Sequence, residues 1–249
     1  MKSPTNETIT GPYSYDSAIL ETARLLTDVK RVQYSDKLML IGLEGLSNAG
    51  KSSFSSRLER ELTRDSQTCF SIEGDGFHQG REKLKPAYQE LIADLEKGGE
   101  IPEDFIFKMW RYPEIQSQLI DWHNNFNNSS LSRATLVLNG LLKDKKDGSE
   151  HSETYEVSRD TTILVPAHYL RHLPGFDFFV YLEISPQTSA QRKIERDKKI
   201  GSQRDPETTR KMVEMIEYPI MLKQRASYPL EPGKEIIVDM NDFNRIFIR

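Results

Sequence analysis

The most specific chemistry in the chain sits in eight consecutive residues. Gly45-Leu46-Ser47-Asn48-Ala49-Gly50-Lys51-Ser52 follows the pattern GxxxxGKS. Glycines let such a loop curl until its backbone N–H groups point inward at phosphate oxygens. A helix beginning near Lys51 adds the positive end of its dipole. In this arrangement the Lys51 ammonium reaches the β- and γ-phosphates of a nucleotide, and the Ser52 hydroxyl ligates Mg²⁺. Gly45, Ser47, Asn48, Ala49, Gly50, Lys51, Ser52 and Ser53 form the candidate phosphate-binding set. The nearby glycines fall at 42, 45 and 50, which does not spell the GxGxxG of a dinucleotide site.

A second group lies at Glu73-Gly74-Asp75-Gly76-Phe77-His78. Beside glycines, an Asp commonly caps a helix or shapes a turn. Facing a phosphate-binding loop, Asp75 reads instead as a general base, a carboxylate that takes the proton of a hydroxyl as a phosphoryl group transfers to it. Glu73, two residues earlier, points to the same side of an extended chain and is a candidate Mg²⁺ ligand beside Ser52. Glu44 is a less favoured one. His78 is either a plain polar residue or a contact for an acceptor's hydroxyls. Trp110 and Tyr112 are either core or an aromatic wall for an acceptor base. Arg192 and Arg196, four apart on a helix, share a face. With Arg204 they suit a transferring phosphoryl group, unless they form a solvated basic face. From Gln191 to Arg204 six basic residues stand against two acids, a local +4 in a chain of net charge −4.

The elements that must position these residues follow from hydrophobic period. Ile19, Leu20, Ala23, Leu26 and Val29 recur at helical spacing over Asp16 to about Gln33. Leu38-Met39-Leu40-Ile41 lacks alternation and predicts a buried, parallel strand. A helix over Lys51 to Thr63 and a strand over Cys69 to Ile72 follow. Arg81 to Phe126 reads mostly helical, broken at Gly98-Gly99 and around Pro113. Ala134 to Leu142 and Glu153 to Ser158 are strand arms about Asp147-Gly148, a hairpin signal. Thr161 to Val165, Phe178 to Leu182 and Glu235 to Asp239 are core strands, with helices over Gln187 to Lys199 and Glu207 to Arg225. Strands alternating with helices predict an α/β protein with a parallel sheet covered on both faces.

The 249 residues suffice for one sizeable domain with a true core. A single cysteine, Cys69, excludes a disulfide framework and a four-cysteine zinc site. A sequence pI near 5.8 argues against a general nucleic-acid binder. No run has the apolar length of a membrane helix, and MKSPTNETIT lacks a signal-peptide core. The expectation is a cytoplasmic protein that engages neither nucleic acid nor membrane.

The P-loop, followed after the second strand by Asp75 and, two residues on, Phe77, resembles the uridine kinase and phosphoribulokinase group of small-molecule kinases. Further segments match in order: Trp110-Arg111-Tyr112-Pro113-Glu114 before a helix, the Asp147-Gly148 hairpin that helps wall the family's acceptor pocket, and Gln191 to Asp197 with Arg204-Asp205, similar to its arginine-bearing lid. The resemblance covers about residues 16 to 240. It implies a P-loop NTPase fold of the kinase type: a three-layer sandwich with a parallel sheet, a hairpin excursion and a lid. The domain would be 16–249, with the hairpin at about 134–158, the lid at about 191–206 and residues 1–15 a flexible segment.

It further implies that ATP, with Mg²⁺, phosphorylates a hydroxyl of a small acceptor, a uridine- or cytidine-like nucleoside first. Pantothenate or a sugar acid are alternatives. Asp75, Lys51, Arg192 and Arg196 would be catalytic, and Arg204 would help hold the nucleotide. Assembly into dimers or tetramers is a family expectation. One departure stands out. The family has Glu-Gly at the end of the strand after the hairpin, where this chain reads Thr162-Ile163-Leu164-Val165-Pro166-Ala167. Aligning Val137-Leu138-Asn139-Gly140 instead puts Asn139 there. Either way the acid is missing. That keeps open a further alternative, a nucleotide-binding regulatory protein with a degenerate site and little turnover.

Overall fold

The computed structural model describes residues 9–64, 68–78, 81–143, 149–202 and 204–249. For residues 75, 81–84, 108, 141 and 143 it describes the backbone alone. The hairpin tip, Asp147-Gly148, lies outside the described residues.

The chain opens with strand β1 (Thr10–Tyr13) and helix α1 (Tyr15–Gln33). Ser14 caps α1 by accepting the Ser17 N–H at 3.3 Å, and Ala18, Ile19, Thr22, Ala23, Leu26 and Lys30 form its buried stripe. Strand β2 (Met39–Gly45) is buried at every position. Then come α2 (Lys51–Arg64), β3 (Cys69–Ser71), a 3₁₀ turn (Gly74–Phe77), α3 (Arg81–Leu95), α4 (Phe105–Met109) and α5 (Tyr112–Ile115). A π-helical turn (Gln116–Ile120) joins α5 to α6 (Asp121–Asn128). Strands β4 (Arg133–Lys143) and β5 (Glu150–Ser158) form a separate antiparallel ribbon. Strands β6 (Thr162–Pro166) and β7 (Phe178–Glu183) return to the core. The chain ends with α7 (Pro186–Lys199), α8 (Pro206–Lys211), a second π turn (Met212–Glu217), α9 (Tyr218–Ser227), β8 (Glu235–Asp239) and β9 (Ile246–Ile248).

The main sheet has the order β1-β9-β8-β7-β2-β6-β3. Five consecutive members, β8, β7, β2, β6 and the edge strand β3, run parallel. Strand β2 sits between β6 and β7: the chain lays β3 and then β6 on one side of β2, and afterwards β7 and β8 on the other. In an open α/β sheet such a switch point opens a crevice at the carboxyl ends of the strands, where ligands bind. The loop after β2 lies there.

Two expectations change. The first dozen residues were expected to fray, yet Thr10–Tyr13 is a strand: Thr10 and Tyr13 pair with Ile248 and Ile246 of β9. Strand β9 itself was not anticipated, and it adds an antiparallel edge to the parallel sheet. Its Ile246 and Ile248 are buried, which supplies the apolar anchor that β1 lacks. The helix expected from Glu207 to Arg225 is interrupted by the π turn, which ends at Glu217. Leu43 of β2 pairs with Pro166 of β6, whereas Asn139 lies in the ribbon, where its backbone N–H and C=O bond the Gln118 side chain.

Candidate active site

The phosphate-binding loop begins where β2 ends. Gly45 has φ 152°, and a Cβ there would lie 2.6 Å from the Leu182 carbonyl oxygen of β7, so only glycine lets the chain leave the sheet at this point. The loop then turns through Asn48 at φ 57° and Gly50 at φ 96°. The Ala49 N–H bonds Leu46 O at 3.1 Å, and the Phe54 N–H bonds Gly50 O at 2.8 Å, starting α2. Ser52 and Ser53 stand exposed on the first turn of that helix. Lys51 folds back over the loop, its Nζ donating to Gly45 O at 2.8 Å, Leu46 O at 3.0 Å and His168 Nε2 at 3.1 Å.

The second wall is the segment after β3. A Cβ on Gly74 would lie 2.2 Å from Pro166 O and 2.5 Å from Ala167 Cβ. This contact clamps the Glu73–Phe77 segment onto the end of β6, next to β2. The Gly76 N–H bonds Glu73 O at 3.0 Å and closes the turn. Phe77 is fully buried beneath it. The backbone of Asp75 lies in this turn, and its side chain is outside the described part. His78 is half-buried and bridges Trp110, with the rings edge-to-face at 5.3 Å.

The third wall is α7, and here the side chains differ from expectation. Ser189 and Lys193 face the loop: Ser189 Oγ donates to Ser47 O at 2.6 Å, and Lys193 Nζ reaches Ser47 Oγ at 3.3 Å. Lys193 also pairs with Glu217 at 2.7 Å, both side chains being 7% exposed. Burial works to raise the Glu217 pKa, yet Lys193, helped by the Ser47 hydroxyl, holds it below the ordinary carboxylate value. Glu217 closes the π turn, and π turns often mark functional positions.

Arg192, expected on the phosphate, is drawn elsewhere. Its guanidinium donates to Met240 O at 2.9 Å and lies 3.8 Å from the Phe243 ring centre. One residue is a step of about 100° around a helix, so Arg192 and Lys193 cannot serve the same neighbour. Arg196 and Arg204 flank Asp197 at 3.6 and 3.7 Å.

Two further expectations are corrected. Trp110 and Tyr112 are 4% and 3% exposed and belong to the core, not to an open aromatic wall. Tyr112 donates to Tyr169 O at 3.3 Å and packs edge-on against His172 at 4.0 Å. Glu44 is fully buried and turned from the loop, accepting from Leu170 N at 2.6 Å and Arg171 Nε at 3.0 Å. It is therefore unavailable to a metal ion.

Ser52 and Glu73 remain the candidate Mg²⁺ donors. Among the described residues no three His, Cys, Asp or Glu cluster as a metal site. Sequence reasoning missed His168, Ser189, Lys193 and Glu217. The i, i+4 spacing of Ser189 and Lys193 was the one available signal.

No protein-family model matches the sequence, and no curated protein matches it. Solved structures do. A Silicibacter sp. TM1040 protein described as a fructose transport system kinase superposes with TM-score 0.56 at 17% identity, over 87% of this chain and 97% of its own. D-glycerate 3-kinase from Cryptococcus neoformans var. grubii gives 0.57 at 14%, over 90% and 96%. The YGR205w protein gives 0.57 at 11%, over 94% and 96%. At these identities the likeness is one of fold. The chain shares their α/β fold, a mostly parallel sheet with flanking helices and a P-loop after a central strand.

Proposed function

We propose that this protein is a small-molecule kinase that transfers the γ-phosphoryl group of ATP to a hydroxyl of a small acceptor. What carries the reading is the P-loop at the switch point of the sheet, walled by the Glu73–Phe77 turn and by α7. The loop amides, the N-terminus of α2 and Lys51 bind the β- and γ-phosphates. Lys193, in contact with Ser47, adds a second cation from α7. Asp75 takes the acceptor's proton while the acceptor oxygen bonds to the γ-phosphorus, the bond to the β–γ bridging oxygen breaks and ADP leaves. Ser52 and Glu73 hold Mg²⁺, which supplies charge neutralisation at the phosphates. Arg196, in the last turn of α7, and Arg204, in the loop before α8, flank Asp197 and would serve the phosphates.

The acceptor is a nucleoside of the uridine or cytidine kind, or else a pantothenate- or sugar-acid-like alcohol. D-glycerate, named in one structural neighbour, belongs in the second set. Burial of Trp110 and Tyr112 removes one argument for a nucleoside base. The enzyme acts in the cytoplasm, as the resemblance and the lone thiol suggest. No described helix is long and apolar enough to cross a membrane.

A second reading is favoured by Pro166, which stands where the family has its acid: a nucleotide-binding regulator with little turnover. Asp75→Ala separates the two. It should abolish acceptor-dependent ADP formation and leave ATP affinity within about threefold of wild type, on the order of 0.6 kcal/mol. An enzyme whose turnover survives Asp75→Ala refutes the assigned base.

A further inference from the structure

Two residues beyond β6, His168 meets the P-loop lysine. An ammonium has three N–H groups and no lone pair. Lys51 must therefore donate in the 3.1 Å contact with His168 Nε2, and Nε2 must carry its lone pair. The proton of the neutral ring then sits on Nδ1, which is buried without a hydrogen-bond partner among the described residues. Burial first, then the charges of Lys51, Lys193 and His78, push the His168 pKa well below the ordinary imidazole value. The ring is thus an acceptor that carries no charge. The imidazole therefore orients the ammonium without adding a charge of its own.

We propose that His168 is a positioning residue for Lys51, holding the ammonium against the P-loop so that it meets a nucleotide's β- and γ-phosphates. The proposal rests on reading Lys51 as the phosphate-binding lysine. It goes further in assigning to one neutral side chain the task of setting that lysine.

Isothermal titration of the full chain with ATP, ADP and AMP provides the test, using wild type, His168→Leu, His168→Gln, Lys51→Ala and Lys51→Ala combined with His168→Leu. His168→Leu should weaken ATP and ADP by about tenfold or more and leave AMP nearly unchanged, because Lys51 serves the outer phosphates. In the Lys51→Ala background the same change should have no further effect. His168→Gln, which keeps an acceptor, should recover most of the loss. Equal losses for AMP and ATP, or effects that simply add, overturn the proposal. Should His168→Leu fail to fold, nitrogen-15 NMR of the wild-type imidazoles decides. The expected signature is a neutral ring protonated on Nδ1, and protonation on Nε2 overturns the contact. Wild type that shows the Nδ1–H ring but binds no ATP refutes the kinase reading instead.

Discussion

The Lys193–Glu217 pair offers a prediction that separates stability from binding. Both side chains are 7% exposed and 2.7 Å apart, and Lys193 also touches Ser47 of the loop at 3.3 Å. Lys193→Met strands a buried carboxylate, and breaking one side of such a pair costs about 3–5 kcal/mol. Lys193→Met combined with Glu217→Leu removes the stranded charge, and an apolar replacement of a whole buried pair is about neutral. Urea denaturation should therefore show a large loss in the single variant and recovery in the double. ATP affinity should not recover. Each variant lacks one charged contact to phosphate, worth about 1.5–3 kcal/mol, or about ten- to hundredfold in Kd. Titration of ATP into the double variant is the decisive reading. Affinity equal to wild type would mean that Lys193 serves Glu217 alone, and α7 would lose its part in phosphate binding. An undiminished midpoint in the single variant would refute the buried pair itself.

Further expectations concern the other walls and the aromatic core. Gly74→Ala forces a Cβ to within 2.2 Å of Pro166 O, so the Asp75 turn must shift. Stability should fall by about 1–3 kcal/mol and kcat by about a hundredfold, and a fully active variant would refute the clamp. Glu73→Gln should weaken the Mg²⁺ dependence of turnover, and an unaltered Mg²⁺ titration removes Glu73 from the metal. His172 has its pKa lowered from 6.5 to about 4 by burial, against the opposing pull of a Tyr169 backbone hydrogen bond. Its ring is neutral in the folded protein, so this stability is complete above pH 6.5 and is lost as the pH falls toward 4. At 1.36 kcal/mol per pH unit the ceiling is about 3 kcal/mol, which water around a half-buried ring reduces to roughly 2. His172→Gln should flatten the acid limb of a melting-temperature profile, and an identical limb contradicts this assignment.

What the sequence disclosed follows a physical divide. The P-loop was legible because phosphate binding needs glycine, lysine and serine at fixed spacing within one turn of chain. The inner strands were legible because Leu38-Met39-Leu40-Ile41 and Phe178 to Leu182 are buried on both faces and read as unbroken apolar runs. Strands β1 and β9 escaped because Thr10-Gly11-Pro12-Tyr13 has no apolar pattern, and three residues at the chain end are too few to show one. The expectation that Arg192 meets the phosphates failed for a different reason. Charge type marks a helix as basic, but which of two adjacent cations meets the loop depends on how α7 is rotated against it, and that is fixed by packing distant in sequence, such as the Ser189 contact to Ser47. His168 had no spacing signal at all. It became visible only when β6 was placed beside β2, which brought the residues after Pro166 to the P-loop.

The proposed kinase moves a phosphoryl group from ATP to a small alcohol. The most direct measurement is ADP release by the purified protein with ATP and Mg²⁺, acceptor by acceptor across nucleosides, pantothenate and sugar acids including D-glycerate. A kinase of this kind forms ADP that depends on one acceptor class, and the activity disappears in Lys51→Ala and Asp75→Ala. Tight ATP binding with no ADP above background on any of these acceptors would contradict it.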